Sequence, residues 1–278
     1  DVSLVGSEMC IRDSLYVATE IKPFLNDTYV ADIVRKLPQG MQEKGVEIRI
    51  LVPKFGLINE RKNRLHEVVR LSGMNIPIGD DDKPLIIKVA SIPTAKLQVY
   101  FIDNEDYFKR KTVFNNKAGK FHKDNDERCL FFCKGVLETV IKLGWSPDII
   151  HCNDWMSSLI PLLIKTSYSD RHIFENTKCI FSIYENSFKE KLDKKMIDKI
   201  VDEDIDKDML SSLKSNDYSG LIKIASEYSD AIIRPDKDLN KSLEESISSI
   251  SPKNKVYKIP ENEKSVESHY KLYNEILN

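Results

Sequence analysis

The sequence predicts an α/β protein with a doubly wound, mostly parallel, Rossmann-like sheet flanked by helices. Two observations support this fold class. Short, mainly apolar runs recur along the chain, for example at 15–18, 48–52 and 179–183, and such runs are typical of buried parallel strands. Amphipathic helical patterns separate these runs, and regular alternation of strand and helix favours a parallel sheet. The 278 residues are enough for one large domain.

The first strand, helix and strand form one compact unit. An apolar strand begins at Leu15, a polar loop covers 20–28, and a helix with an apolar stripe begins near Tyr29. Gly45 ends this helix and Ile48 begins the next strand. This spacing predicts one right-handed βαβ unit.

The rest of the chain continues the alternation after one β-rich excursion. Three strand-like segments at 66–71, 85–90 and 97–102 are separated by turn residues. The strongest helical pattern follows at 124–144. Later elements are strands at 148–152, 179–183, 230–233 and 256–259, with helices between them and a terminal helix at 266–277.

The first fourteen residues do not fit this pattern. They have no useful periodicity and resemble a translated sequencing adapter. We therefore expect 1–14 to be a non-native or disordered tail, and 15–278 to form the Rossmann-like domain.

Composition excludes several classes of function. A net charge of −2 gives no reason to expect nucleic acid or an anionic membrane as a partner. No apolar run is long enough to span a membrane, and no secretory signal is recognisable. Four of the five cysteines, Cys129, Cys133, Cys152 and Cys179, lie in apolar stretches, and the five have no spacing of a metal site. This favours reduced thiols in a cytoplasmic protein. We expect neither a metal nor a cofactor.

A cluster of polar residues ends the strand at 148–152. The run His151-Cys152-Asn153-Asp154-Trp155 leads at once into a helix-like segment. Ligands of open α/β sheets bind outside the carboxyl ends of the strands. His151, Asn153 and Asp154 therefore lie where substrate chemistry would take place.

Short motifs spread along the chain carry a family resemblance. They are 18–24 (ATEIKPF), 31–33 (ADI), 37–38 (LP), 103 with 107–108 (D and YF), 144–155 (GWSPDIIHCNDW) and 159–161 (LIP). Between about Leu15 and Ile233 the chain resembles the amino-terminal catalytic domain of bacterial glycogen synthases and plant starch synthases, most of all short, single-domain forms from Bacteroides-like bacteria. The resemblance implies one half of a two-domain (GT-B) glycosyltransferase that uses ADP-glucose.

The phosphate loop of that family is replaced in this sequence. The resemblance implies a Lys-x-Gly-Gly loop before the first helix, where this chain has Asn26, Asp27, Thr28 and Tyr29. The lysine that neutralises phosphate is absent, as are the glycines that let a diphosphate approach backbone N–H groups. We therefore expect no diphosphate cradle, and ADP-glucose would be the donor only if the chain were active.

Two histidines that the resemblance implies at the active site are also replaced. Asn153 stands at the second histidine of the family's His-Cys-His-Asp-Trp motif. Tyr184 stands at the histidine of its Thr-Ile-His-Asn motif. Asparagine can hydrogen-bond a hydroxyl but cannot relay a proton near pH 7. Glu20, Asp32 and Asp154 keep the family's residue types, and the chain stops about where the family's nucleotide-binding second domain would start.

We assign no catalytic residue, since Asn153 and Tyr184 are degenerate equivalents. Each substrate-binding candidate also has a structural interpretation: His151 as a partly buried strand end, Trp155 as core, Asp154 as a helix cap and Asp32 as a solvated residue. The candidates for binding a substrate are Glu20, Asp32, His151, Asn153, Asp154 and Trp155.

Three functions stay open from the sequence. In the first, the protein belongs to glycogen metabolism and binds α-glucan or a synthase without transferring glucose. In the second, it is an active ADP-glucose glucosyltransferase that uses altered residues or a second chain. In the third, it is a structural or regulatory partner without a sugar site. A dehydrogenase of the NAD type is disfavoured, because no Gly-x-Gly-x-x-Gly follows the first strand, and the oligomeric state is open.

Overall fold

The computed structural model describes residues 11–250 and 255–278, and within them one ten-stranded sheet is flanked by helices. The strands are β1 Asp13–Val17, β2 Glu47–Pro53, β3 His66–Glu67, β4 Met74–Ile78, β5 Asp81–Ile92, β6 Leu97–Asp103, β7 Ile149–Asn153, β8 Lys178–Ser182, β9 Ala231–Pro235 and β10 Lys255–Ile259. The helices are α1 Val30–Glu43, α2 Glu60–Asn63, α3 Glu105–Phe108, α4 Asn125–Leu143, α5 Ile160–Lys165, α6 Met196–Ile200, α7 Tyr218–Tyr228, α8 Lys241–Ser248 and α9 Ser265–Leu277.

The strand order confirms the predicted fold class. Across the sheet the order is β10-β9-β8-β7-β1-β2-β6-β5-β3, and β4 pairs with β5 beside this path. From β10 to β6 all neighbouring strands run parallel. The predicted β-excursion is antiparallel, since β3, β4 and β6 each pair with β5 in that sense.

The strand β1 lies at the point where the chain changes direction across the sheet. The chain passes from β1 to β2 and β6 on one side, and then begins the other side with β7. The loops that follow β1 and β7 therefore diverge, and such a switch point is where open α/β sheets form a ligand crevice. Residues 18–29 and 154–159 are those two loops.

Burial explains the apolar sequence of the parallel strands. Leu15, Tyr16 and Val17 of β1 are completely buried, as are Ile149 and Ile150 of β7. Both faces of these strands are covered, so alternate side chains have no solvent side to face.

The terminal helix α9 lies against α1. A Cβ atom added to Gly40 of α1 would lie 2.6 Å from Cγ2 of Val266 in α9. No side chain fits at position 40 without a shift of Val266, which explains the glycine inside this helix.

The predicted boundary at residue 14 was wrong by two residues. The strand β1 begins at Asp13, and Ser14 is fully buried. The carboxylate of Asp148 accepts the backbone N–H groups of Arg12 and Asp13, at 2.7 and 3.0 Å, so this edge of the strand is fixed by a residue far along the chain. The earlier part of the predicted tail, at 1–10, lies outside the described residues.

Three further properties follow from the described residues. Cys129, Cys133, Cys152 and Cys179 are buried free thiols, as the sequence predicts. Within 11–250 and 255–278, no cluster of three or more His, Cys, Asp or Glu side chains is arranged to hold a metal ion. In the same ranges no helix is both long and apolar enough to cross a membrane.

Candidate functional site

Asp154 joins the two loops at the switch point. Its Oδ2 accepts the backbone N–H of Thr19 at 3.0 Å, and its Oδ1 accepts the N–H of Met156 at 3.0 Å. The second bond caps the short 3-10 helix Trp155–Ser157, which agrees with the cap interpretation. The first bond fixes the loop after β1 to the loop after β7.

The backbone and the charge of Asp154 are both unusual. Its φ of 68° and ψ of 173° lie in a region that is populated almost only by glycine, and such strain persists where surrounding contacts enforce it. Its side chain is fully buried, and this desolvation raises the pKa to about 7, against the lowering effect of its hydrogen bonds with Thr19 and Met156. The carboxyl group therefore holds a proton much more readily than an exposed aspartate does.

Asn153 is closed off by internal hydrogen bonds. Its Nδ2 donates to the backbone oxygens of His151 at 2.9 Å and Val17 at 3.4 Å. Its Oδ1 accepts the Tyr184 hydroxyl at 2.7 Å. Since Asn153 is 1% exposed and Tyr184 5%, neither polar group is open to a sugar in this structure.

His151 belongs to a buried polar chain that reaches α9. Its Nε2 is 2.6 Å from the Ser182 hydroxyl, and its Nδ1 is 2.6 Å from the Tyr273 hydroxyl. The Tyr273 hydroxyl is also 3.0 Å from that of Tyr16. Burial, with a smaller contribution from His269, lowers the pKa of His151 well below its ordinary value. The ring is thus neutral, and it is more deeply buried than the partly buried strand end that the sequence suggested.

Trp155 packs in the core. Its ring lies 4.7 Å from that of Phe114 and 5.0 Å from that of Phe188, between centroids, and the residue is 1% exposed. These contacts agree with core packing and leave no ring face for stacking against a sugar.

Glu20 occupies the loop that replaces the family's phosphate loop. Its Oε2 accepts the backbone N–H of Asp27 at 2.7 Å, and its Oε1 accepts that of Thr28 at 2.9 Å and is also bonded to the Thr28 hydroxyl. Burial raises the pKa of Glu20, and these hydrogen bonds offset part of the rise. The chain's own carboxylate therefore takes two backbone donors of the loop that leads into α1, close to the helix start where an anion would bind.

Tyr29 ends this loop, and Asp32 lies in the first turn of α1. The Tyr29 ring contacts the Tyr184 ring edge to face, with centroids 5.9 Å apart. Asp32 is half-exposed and pairs with Lys22 at 2.7 Å. Of the six candidates for substrate binding, Asp32 is the one with an exposed carboxylate, and binding by any of the six stays a prediction.

Comparison with known families decides what kind of domain this is. Residues 14–244 match the family model of the starch synthase catalytic domain, which covers most of the chain. The chain belongs to the starch synthase catalytic-domain family. The resemblance found in the sequence is thereby confirmed.

Individual relatives agree with this family. The chain is 46% identical over 177 residues to a glycogen synthase of Chlorobium luteolum, covering 63% of this chain and 36% of the relative. It is 42% identical over 186 residues to a glycogen synthase of Chlorobaculum parvum, covering 65% of this chain and 38% of the relative. The chain thus spans little more than a third of the length of these curated relatives.

A solved structure supports the fold. The catalytic domain of starch synthase IV from Arabidopsis thaliana, bound to ADP and acarbose, superposes with a TM-score of 0.64 at 17% identity. The match covers 81% of this chain and 45% of that one. At this level of identity the likeness establishes a shared fold for the amino-terminal half of a GT-B glycosyltransferase.

Sequence reasoning missed the partners of the site residues. Tyr273 lies 122 residues from His151, and no local pattern links them. Ser182 is an ordinary strand end in the sequence, and the carboxylate of Glu20 is seven residues from the amide it accepts. Tyr273 lies on the terminal helix that the sequence predicts at 266–277, but no pattern there indicates that its hydroxyl meets a histidine.

Proposed function

We propose that this protein serves α-glucan metabolism without itself transferring glucose from ADP-glucose. The observation that carries the proposal is the loop before α1. Asn26, Asp27, Thr28 and Tyr29 stand where the resemblance implies a lysine and two glycines, and the Glu20 carboxylate accepts the backbone N–H groups of Asp27 and Thr28. A glycosyltransferase must stabilise the departing diphosphate with fixed donors or cations. Here two backbone donors of the loop are already bonded, and a diphosphate would first have to displace a buried carboxylate from them.

The second support comes from the hydrogen bonding and protonation of Asn153 and Tyr184, which stand where the resemblance implies histidines. The Asn153 amide is bonded at both of its polar atoms, and the Tyr184 hydroxyl is its partner. Burial raises the pKa of Tyr184 far above its ordinary value, so the phenol stays protonated and offers no base. His151, the remaining histidine of the motif, is buried and neutral.

The proposed role has two forms, which differ in what the protein binds. In one, the protein binds α-glucan directly. In the other, it binds a glycogen synthase and acts on that enzyme. Both forms place the protein in the cytoplasm, and neither involves nucleic acid or a membrane.

The first experiment measures glucose transfer. The purified chain would be incubated with labelled ADP-glucose and glycogen, and the glycogen synthase of Chlorobium luteolum would serve as the positive control. We expect no label in the glycogen, with the native chain or with Asn153→His, because the Glu20 carboxylate stays in place in both. Incorporation by the native chain above a no-enzyme blank would overturn the proposal.

Two binding experiments separate the forms of the role. Co-sedimentation with glycogen supports direct glucan binding. A stable complex with a glycogen synthase, without co-sedimentation, supports the second form. Absence of transfer, of glycogen binding and of complex formation together would overturn a role in α-glucan metabolism.

A further inference from the structure

A cavity of about 560 Å³ lies beside the switch point, at the carboxyl ends of β8, β9 and β10. One wall comes from α1 and another from the beginning of α9. Of the six candidates for substrate binding, only Asp32 lines it. Its volume falls in the range of pockets that hold small organic molecules. The lining is mainly apolar, and its aliphatic side chains are Ile33, Leu37, Ile183, Ile233, Ile259 and Val266.

Two tyrosines add aromatic surface to the cavity. Tyr29 and Tyr184 both line it, and their edge-to-face contact fixes the angle between the two rings. The Tyr184 hydroxyl is directed to Asn153, so its phenol oxygen is engaged within the protein. The rings therefore contribute apolar contact more than hydrogen bonds.

Two acidic side chains that line the cavity are paired within the chain. Asp32 pairs with Lys22 at 2.7 Å, and Glu261 pairs with Lys237 at 2.9 Å. Since a bound charge without a new partner is costly to bury, these pairs leave little to stabilise a phosphate, a sulfonate or a carboxylate. The buried guanidinium of Arg234 is likewise neutralised.

The pair that neutralises Arg234 is bidentate. Both terminal nitrogens of Arg234 donate to the carboxylate of Glu244, at 2.8 and 2.6 Å, and one also donates to the backbone oxygen of Lys237. At the outer edge, Lys36 and Glu263 are exposed and of opposite sign. The interior of the cavity is therefore mainly apolar, and the charged groups of Asp32, Arg234 and Glu261 in its lining are each in an ion pair.

We infer that this cavity binds an uncharged, mainly apolar ring compound rather than a glucan or a nucleotide. A sugar would bring many hydroxyl groups to aliphatic walls that cannot hydrogen-bond them, and each unpaired polar group would lower affinity. A nucleotide would bring phosphates to a cavity whose buried cation, Arg234, is already paired. The inference does not depend on the role in α-glucan metabolism.

A matched pair of fluorescent probes tests the site and the ligand class. Prodan is an uncharged naphthalene ketone, and 1-anilinonaphthalene-8-sulfonate carries a sulfonate on the same ring system. We expect saturable binding of one prodan per chain with a blue shift of its emission. The sulfonate should bind at least about tenfold more weakly, because the buried guanidinium of Arg234 is already paired with Glu244 and cannot neutralise it.

Variants locate the binding. Ile33→Trp and Val266→Trp place an indole in the cavity from half-buried helix positions, and each should weaken prodan binding at least about tenfold. Glu43→Trp puts the same indole on the exposed side of α1, outside the cavity, and should leave the affinity within about twofold. Circular dichroism would verify the fold of each variant.

Three results would overturn the inference. Absence of saturable prodan binding, or equal binding by native protein and both cavity-filling variants, would exclude the site. Tighter binding of the sulfonate would show that the cavity selects anions. Displacement of prodan by maltotriose would assign the cavity to a sugar.

Discussion

The Tyr184 hydroxyl donates a 2.7 Å hydrogen bond to Oδ1 of Asn153, and both side chains are buried at the ends of neighbouring parallel strands. These are the two positions at which the family resemblance implies active-site histidines. The two replacements therefore act together, as one closed pair. Neither residue can be exchanged without changing the hydrogen bonding of the other.

Removal of the Tyr184 hydroxyl should destabilise the fold. Tyr184→Phe leaves Oδ1 of Asn153 buried without its donor, and an unsatisfied buried acceptor costs about 1–3 kcal/mol. We expect the free energy of unfolding in urea to fall by that amount. The control is Tyr270→Phe on the half-buried side of α9, which should change it by less than about 0.5 kcal/mol. Equal effects of the two variants would mean that the hydrogen bond between Tyr184 and Asn153 does not contribute to the free energy of unfolding.

A second prediction concerns the attachment of α9 to the sheet. Tyr273→Phe removes the hydroxyl that meets both His151 and Tyr16. We expect faster amide hydrogen exchange throughout α9, because local opening of this helix no longer breaks buried hydrogen bonds. Exchange in α4, which lies away from this polar chain, should change much less. Unchanged exchange in α9 would show that apolar packing alone holds the helix.

The order of elements could be predicted from the sequence because it depends on local patterns. Apolar runs such as Leu15 to Val17 are buried on both faces, so their sequence identifies parallel strands directly. The strand β1, however, begins at Asp13, since the carboxylate of Asp148 fixes its first residues. A contact between Asp13 and Asp148, 135 residues apart, cannot be recognised in a local sequence pattern.

The candidate site was predictable in position but not in accessibility. His151, Asn153 and Asp154 lie at the switch point, where the end of β7 places them. Whether they meet solvent depends on α9 and on the loop after β8, and neither could be positioned from sequence. The side chains therefore proved to be buried parts of an internal network.

The stability of the protein should fall as the solution becomes acidic below about pH 6.5. Burial lowers the pKa of His151 well below its ordinary value and that of His269 to about 4. In the unfolded chain both gain a proton near pH 6.5. Their contribution to stability is therefore present above pH 6.5 and is lost as the pH falls towards 4. Urea unfolding across this range measures the loss, and a flat profile would contradict it.

Asp154 has the opposite effect on the pH dependence of stability, and the Asp154→Asn variant should reveal this effect. Its pKa of about 7 in the folded state exceeds the ordinary value of 3.8, so its contribution to stability is present below about pH 3.8 and is lost as the pH rises through about 7. Asp154→Asn abolishes this titration. The decline of stability from pH 7 to pH 4 should therefore be steeper in the variant than in the native protein. Parallel profiles would mean that Asp154 keeps an ordinary pKa in the folded state.

The last prediction tests whether Glu20 stands in for a bound anion. Glu20→Ala leaves the N–H groups of Asp27 and Thr28 without their acceptor, and we expect a loss of about 1–3 kcal/mol in stability. The freed donors should then bind pyrophosphate weakly, with a Kd on the order of millimolar because the Asp27 carboxylate repels it. Pyrophosphate should accordingly raise the melting temperature of the variant.

The native protein is the control for that measurement. Its melting temperature should not respond to pyrophosphate, because Glu20 already holds both donors. Glu20→Gln supplies a second control, since its amide oxygen can still accept one N–H without carrying charge, and its response should be smaller than that of Glu20→Ala. Equal stabilisation of the native protein and Glu20→Ala would show that pyrophosphate binds elsewhere, and that the Glu20 carboxylate blocks nothing.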